Sequence, residues 1–253
     1  MEDLHMQLLI DLHKQNHRQG PGGEEETRQA LKLASLDPSR PLKIADIGCG
    51  TGASTLILAK ELDAHITAVD FLPEFLEELQ IRARSRGVAE KITTLECSMD
   101  ALPFADEEFD LIWSEGAIYN MGFQAGIAAW RRLLKPEGKL VVSEITWLTV
   151  ARPREIESHW QREYPEIDLA SAKMRILEEH GYTPEGYFIL PSHCWLEHYY
   201  RPMQSCFEAF LERHSGTPQA RDVVGAEERE MALYEKYNPY YSYGVYVGKK
   251  CPW

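Results

Sequence analysis

Cysteine is scarce, with five in 253 residues, at positions 49, 97, 194, 206 and 251. They are odd in number, widely scattered and form no C-x-x-C pair, which excludes a disulfide framework and a zinc knuckle and fits a reducing compartment. No apolar run approaches the roughly 18–20 residues needed to span a bilayer. The opening Met1-Glu-Asp-Leu-His is acidic where a secretory signal is basic. Basic residues are outnumbered: 27 Lys and Arg face 40 Asp and Glu, for a net charge of −13. Such a surface repels phosphate backbones and anionic lipid, so nucleic acid and membrane drop out as expected partners. No repeat or low-complexity tract is present, which removes solenoids and linkers. A cytoplasmic protein is expected.

Hydrophobic residues make up 44% of the chain, enough for a full core. The length suits one large domain or a domain with an insertion. Leu4, Leu8, Leu9 and Leu12 recur at helical spacing and predict a short amphipathic helix. Gln19-Gly-Pro-Gly-Gly23 breaks it, and Glu24-Glu-Glu opens a second helix. From Leu42 the pattern alternates. Strands are expected at 42–47, 65–70, 91–96, 109–113 and 139–145, with helices at 53–62, 73–86 and 124–134 and a tight turn at 135–138. This rhythm predicts an α/β fold, a doubly wound and mostly parallel sheet. Beyond Thr149 it loosens: helices near 154–163 and 170–180, a strand at 187–190, a long helical stretch over 196–236 and a last strand at 241–247. Ligands of such sheets bind at the C-terminal strand edge.

The turn Asp46-Ile-Gly48-Cys49-Gly50-Thr-Gly52 leaves a strand and enters a helix. Its glycines permit positive φ and close approach of a ligand to the backbone. Gly48-x-Gly50-x-x-Ala53 also fits a dinucleotide fingerprint, and Asp70 ends the next strand where a carboxylate can accept from both hydroxyls of a ribose. A pyrophosphate at the helix start would be repelled by Asp46, whereas a ligand bearing an ammonium would be attracted. S-adenosylmethionine carries one.

Five segments in order, Ile44-Ala-Asp-Ile-Gly-Cys-Gly-Thr-Gly52, Ile66-Thr-Ala-Val-Asp70, Met99-Asp-Ala-Leu-Pro-Phe104, Phe109-Asp-Leu-Ile-Trp113 and Leu133 to Val142, resemble the class I S-adenosylmethionine-dependent methyltransferases of the small-molecule, type 11 group. The resemblance implies a seven-stranded sheet with an antiparallel last strand, and S-adenosylmethionine as cofactor. It implies that Asp46, Gly48, Cys49, Gly50 and Gly52 hold the methionine end and that Asp70 binds the ribose, with Phe71 beside the adenine. Met99 and Asp100 would contact the adenine, and Glu115 and Gly116 would pass near the sulfonium. Core filling remains open for Phe71 and Met99, and a cap for Asp100. Asp110 reads as structural. The implied organisation is N-terminal helices with a lid candidate at Gly20–Gly23 (1–36), a cofactor-binding core (37–149), and completion of the sheet with a helical cap for the acceptor (150–253).

Methyl transfer from a sulfonium requires alignment and exclusion of water, and a base only where the acceptor must lose a proton. The base candidates are Glu115 and Tyr119, with His193, His198, Tyr199 and Tyr200; the aromatic stretch His193–Tyr200, and Trp147, are also read as walls for an acceptor. The family's Asn-Pro-Pro-Tyr and Pro-Cys motifs are missing, and Asp106, Glu107 and Glu108 read as a solvated turn, so no metal site is expected. A small-molecule acceptor is the leading expectation. An NAD(P)-dependent oxidoreductase and a non-catalytic S-adenosylmethionine-binding regulator are the alternatives.

Overall fold

The computed structural model describes residues 2–252. Helices α1 (Glu2–His13) and α2 (Glu24–Ala34) precede the sheet. The alternating core follows as β1 (Leu42–Ile47), α3 (Ala53–Glu61), β2 (Ala64–Asp70), α4 (Pro73–Ser85), β3 (Ile92–Glu96), β4 (Phe109–Ser114), α5 (Phe123–Trp130) and β5 (Leu134–Trp147). The second half contributes α6 (Arg154–Glu163), β6 (Asp168–Leu169), α7 (Ala170–Glu179), β7 (Tyr182–Ile189), α8 (Ser192–Trp195), a π-helical turn (Leu196–Tyr200), α9 (Arg201–Arg213), α10 (Pro218–Tyr237) and β8 (Tyr241–Lys250).

The main sheet runs β3-β2-β1-β4-β5-β8-β7, and the two-residue β6 adds to the end of β5. Strands β1 to β5 are mutually parallel, while β8 runs antiparallel between β5 and β7. This is the doubly wound, mostly parallel, seven-strand sheet expected, with one short strand added. Nearly continuous aliphatic and aromatic side chains in β1, β4 and β5 are buried, as strands covered on both faces require. Chain order reverses between β1 and β4, both of which pair at that point, so the crevice for a ligand opens above their C-terminal ends.

Several boundaries differ from the sequence reading for local reasons. The segment 135–138 does not precede β5 but bulges within it: Phe109 pairs with Leu134, and Leu111 then pairs with Lys139. Glu137 takes φ +63° there. Strand β7 starts five residues earlier, at Tyr182, and carries Pro184 beside a register shift at the sheet's edge, where proline is tolerated. The long helical stretch is broken at His214–Thr217, where Ser215 and Gly216 adopt positive φ. Leu8 and Leu12 are buried, whereas Leu4 is exposed.

A hydrophobic cluster roofs the sheet's C-terminal edge. Leu8 and Leu12 of α1 meet Met203 and Phe210 of α9, Val223 and Tyr234 of α10, and Trp147 and Tyr241 at the strand ends. Trp195 stacks on Tyr234 at 4.3 Å between centroids. Among the described residues no helix is long and apolar enough to cross a membrane. Asp110 lies away from the roof, where Lys135 and the Lys43 amide bond it and Arg40 pairs with it; its role is structural.

Candidate active site

The loops that follow β1, β2, β3 and β4 converge on one cavity of about 400 Å³, which Arg18–Pro21 also line. Its floor is the glycine turn. Gly48 has φ +74°, and a Cβ there would stand 2.3 Å from Ala117 Cβ, so only glycine lets the turn and the loop after β4 approach this closely. The turn is tied to β2 by Gly48 N–H and Cys49 N–H, which both donate to Val69 O. Cys49 lines the cavity, and burial pushes its thiol pKa up, so it is a wall group and not a nucleophile.

Asp70 ends β2 on the cavity wall and is 8% exposed. One carboxylate oxygen accepts from Gly50 N–H at 2.9 Å and the other from Leu72 N–H at 3.0 Å. Burial raises its pKa, against the pull of these amides. Each oxygen retains a lone pair, so the group can accept further hydrogen bonds from a diol. Phe71, 57% exposed, lines the cavity and is not core filling. Met99 and Asp100 form another wall. The Met99 carbonyl is anchored by Trp130 Nε1–H at 3.1 Å, and no described residue holds the exposed Asp100 carboxylate.

Three expected residues stand elsewhere. Asp46 lies one layer beneath the wall, fully buried. Its Oδ2 accepts from Ser54 Oγ at 2.9 Å and Thr55 Oγ1 at 2.6 Å, while Oδ1 has no partner. Burial, reinforced by Glu115 and Asp70, pushes its pKa up to about 7 despite those two hydroxyls. Gly52 faces away from the cavity, where a Cβ would meet Leu79 Cδ1 at 2.1 Å; its need is helix packing. His198 lies outside the cavity and places Nδ1 3.0 Å from Gly22 O. The neighbouring Trp195, Tyr199 and Tyr200, like Trp147, are buried in the roof, so they fill it and do not wall an acceptor.

Glu115 is the most constrained group in the site. Its Oε2 accepts from Arg18 Nη1 at 2.7 Å, and its Oε1 accepts from Thr27 Oγ1 at 2.8 Å and Trp113 Nε1 at 3.0 Å. A carboxylate holding a guanidinium, a hydroxyl and an indole is poorly placed to take a proton. Gly116 N–H donates to Ser143 Oγ at 2.7 Å, which fixes the floor beside it. Tyr119 lines the cavity with its ring edge-on to Tyr164, and it is 42% exposed.

Arg18 and Gln19 carry no sequence signal of their own. Gln19 Oε1 accepts from Thr51 N–H at 2.9 Å, fastening the N-terminal segment to the glycine turn. Only their position before Gly20-Pro-Gly-Gly23 pointed toward them.

Residues 44–138 match the family model described as a methyltransferase domain. The uncharacterized methyltransferase YodH of Bacillus subtilis is 32% identical over 48% of this chain and 50% of its own length. Methyltransferase GfsG of Streptomyces halstedii is 31% identical over 49% of this chain and 44% of its own. The chain thus spans about half the length of the curated relatives it matches. A solved SAM-dependent methyltransferase from Geobacter sulfurreducens, in complex with S-adenosyl-L-homocysteine, shares the fold with a TM-score of 0.84 at 18% identity, over 96% of this chain and 97% of that one. Residues 44–138 thus match a methyltransferase-domain family model, and the chain shares the fold of a solved SAM-dependent methyltransferase.

Proposed function

We propose that the protein transfers a methyl group from S-adenosylmethionine to a small-molecule acceptor. One observation carries the reading: a single cavity gathers Gly48, Gly50, Asp70, Asp100 and Gly116, which come from four separate loops and were named in the sequence by their resemblance to this family. The donor set suits the cofactor's chemistry. Asp46 offers a buried oxygen without a partner beneath the turn, of the sign an ammonium needs and a pyrophosphate does not. Arg18, at the roof of the cavity, supplies a guanidinium for a carboxylate. Asp70 would accept from the ribose hydroxyls and Asp100 from the exocyclic amine of the adenine, with Phe71 and Met99 against the ring. The acidic net charge favours a small acceptor over nucleic acid.

When bound, the cofactor supplies an already activated methyl for in-line displacement. The chain's own task is then to align the acceptor and keep water out. Gly20 and Pro21 cover the cavity as a lid over the methionine end. Glu115 acts as a positioning residue that holds Arg18 in place. Tyr119, open on the wall, is the group left to orient an acceptor; burial raises its phenol pKa, so it acts as a hydrogen-bond partner and not as a base.

Calorimetric titration of the protein with S-adenosylmethionine, S-adenosylhomocysteine and NAD(P)H, beside Asp70→Ala, tests this reading. Binding of the first two in the micromolar range, lost in the variant, is expected. Binding of the nicotinamide alone would replace it with an oxidoreductase.

A further inference from the structure

A second cluster of chemistry-bearing groups lies on the far side of the lid segment. Glu26 comes from the first turn of α2, His193 and Cys194 from α8, and His198 from the π-helical turn. One ligand atom of each lies within 4.8 Å of all the others. We propose that Glu26, His193, Cys194 and His198 bind a zinc-type divalent cation.

The separation is close to what a metal requires. With bonds of about 2.0–2.3 Å, tetrahedral zinc has ligand-to-ligand edges of roughly 3.3–3.8 Å, so the side chains need draw in by only about 1 Å. His193 Nε2 already stands 3.0 Å from Glu26 Oε1. The π-helical turn makes this convergence possible. In an α-helix residues five apart point about 140° away from each other, yet here the His193 and His198 rings meet edge-on with centroids 5.1 Å apart. The wider turn brings them together.

Two observations independent of the clustering point to a ligand. Glu26 is only 8% exposed, and its Oε2, sealed from solvent, accepts no N–H or O–H hydrogen bond. A buried carboxylate oxygen left in that state is costly unless a cation or donor satisfies it. Gly23 lies beside it in extended backbone that any residue could adopt. A Cβ there would stand 2.1 Å from Glu26 Oε2 and 2.9 Å from His198 Nδ1, so glycine keeps the space between the two open.

The donor types select the ion. A thiol and two imidazoles favour zinc and its neighbours over magnesium or calcium, which take oxygen ligands. On binding, the Cys194 thiol releases its proton to solvent, and the thiolate and the Glu26 carboxylate then balance the two positive charges. His198 places Nδ1 3.0 Å from Gly22 O, a carbonyl contact that holds this imidazole in place beside the cluster. Gly22 N–H also donates to Cys194 O at 3.4 Å. A filled four-ligand site would therefore staple the Gly20–Gly23 segment to the roof, a structural role that does not depend on the methyl-transfer reading.

Protein of the 253 residues, stripped with a chelator and titrated with Co(II) and Zn(II), tests the site. One equivalent of each is expected, with a thiolate-to-cobalt charge-transfer band that disappears in Cys194→Ser. Zinc affinity should fall by about tenfold or more in His193→Gln, whose exposed side chain leaves the core intact; circular dichroism confirms folding. Failure of the folded wild-type chain to bind either ion would overturn the proposal, as would equal binding by both variants.

Discussion

Arg18 and Glu115 meet at 2.7 Å across the top of the cavity, joining the segment before α2 to the loop after β4. Both are largely shielded, so the pair is worth more than a surface contact. Arg18→Ala should weaken S-adenosylhomocysteine binding by about tenfold, the loss of one charge-assisted contact. Glu115→Gln keeps acceptors for Thr27 and Trp113 but frees the guanidinium, and should show a smaller loss. The two losses should not add in the double variant, because each acts through the other. Calorimetry on the three variants reads this directly.

Asp46 should make cofactor binding sensitive to pH. Its folded pKa of about 7 exceeds the ordinary 3.8, so the folded protein holds the extra proton between those values. Its contribution to stability therefore declines as pH rises from about 4 to about 7. An ammonium brought near the carboxylate lowers that pKa and expels the proton. Titration with S-adenosylhomocysteine at pH 6 in buffers of different ionisation enthalpy should show net proton release, abolished in Asp46→Asn.

Gly52 separates packing from binding. Its φ is +86°, and an added Cβ would stand 2.1 Å from Leu79 Cδ1, so Gly52→Ala combines a strained backbone with a clash. A loss of about 2–4 kcal/mol in unfolding free energy is expected. Denaturant melts measure it.

Lys173 and Glu144 form a pair with side chains 1% and 0% exposed, 3.4 Å apart. Burial lowers the lysine pKa and pushes the glutamate up to about 7. Lys173 is also held by Glu166 O at 2.8 Å and lies over the Phe123 ring. Lys173→Ala should cost about 3–5 kcal/mol by stranding Glu144, whereas Lys173→Met with Glu144→Gln should recover most of it. Thermal melts of the two variants decide the matter.

The legible part of this protein was local. Each loop of the cavity floor carries its signal within a few residues: glycines where φ must be positive, an acid at the end of β2, the Met99-Asp100 pair after β3. The sheet was readable because buried parallel strands are short continuous apolar runs. The opaque part was assembled across the chain. Arg18 and Thr27 become site residues only when the N-terminal segment and α2 meet the loop after β4 at Glu115, and nothing near them in sequence marks that contact. Glu115 is well placed by its own motif, but its three partners, which decide its chemistry, lie mostly outside it. Glu26 and His193 are separated by 167 positions, so a spacing search could not pair them. The helical stretch at 196–236 read as continuous because a π-helical turn and a four-residue break leave the apolar pattern nearly intact.

Helix α1 has a particular place in the history of the molecule. Asp11 bonds Arg213 and His214, and Leu8 and Leu12 pack among α9 and α10. The Arg213 partner emerges 202 residues later, so at roughly 5–20 residues per second a nascent chain carries α1 without its packing surface for roughly 10–40 s. The parallel strands can assemble during that interval, since their loops close locally. The roof cannot. Translation therefore delivers an open cofactor floor first and its cover last, and the apolar face of α1 is the surface a chaperone would meet meanwhile.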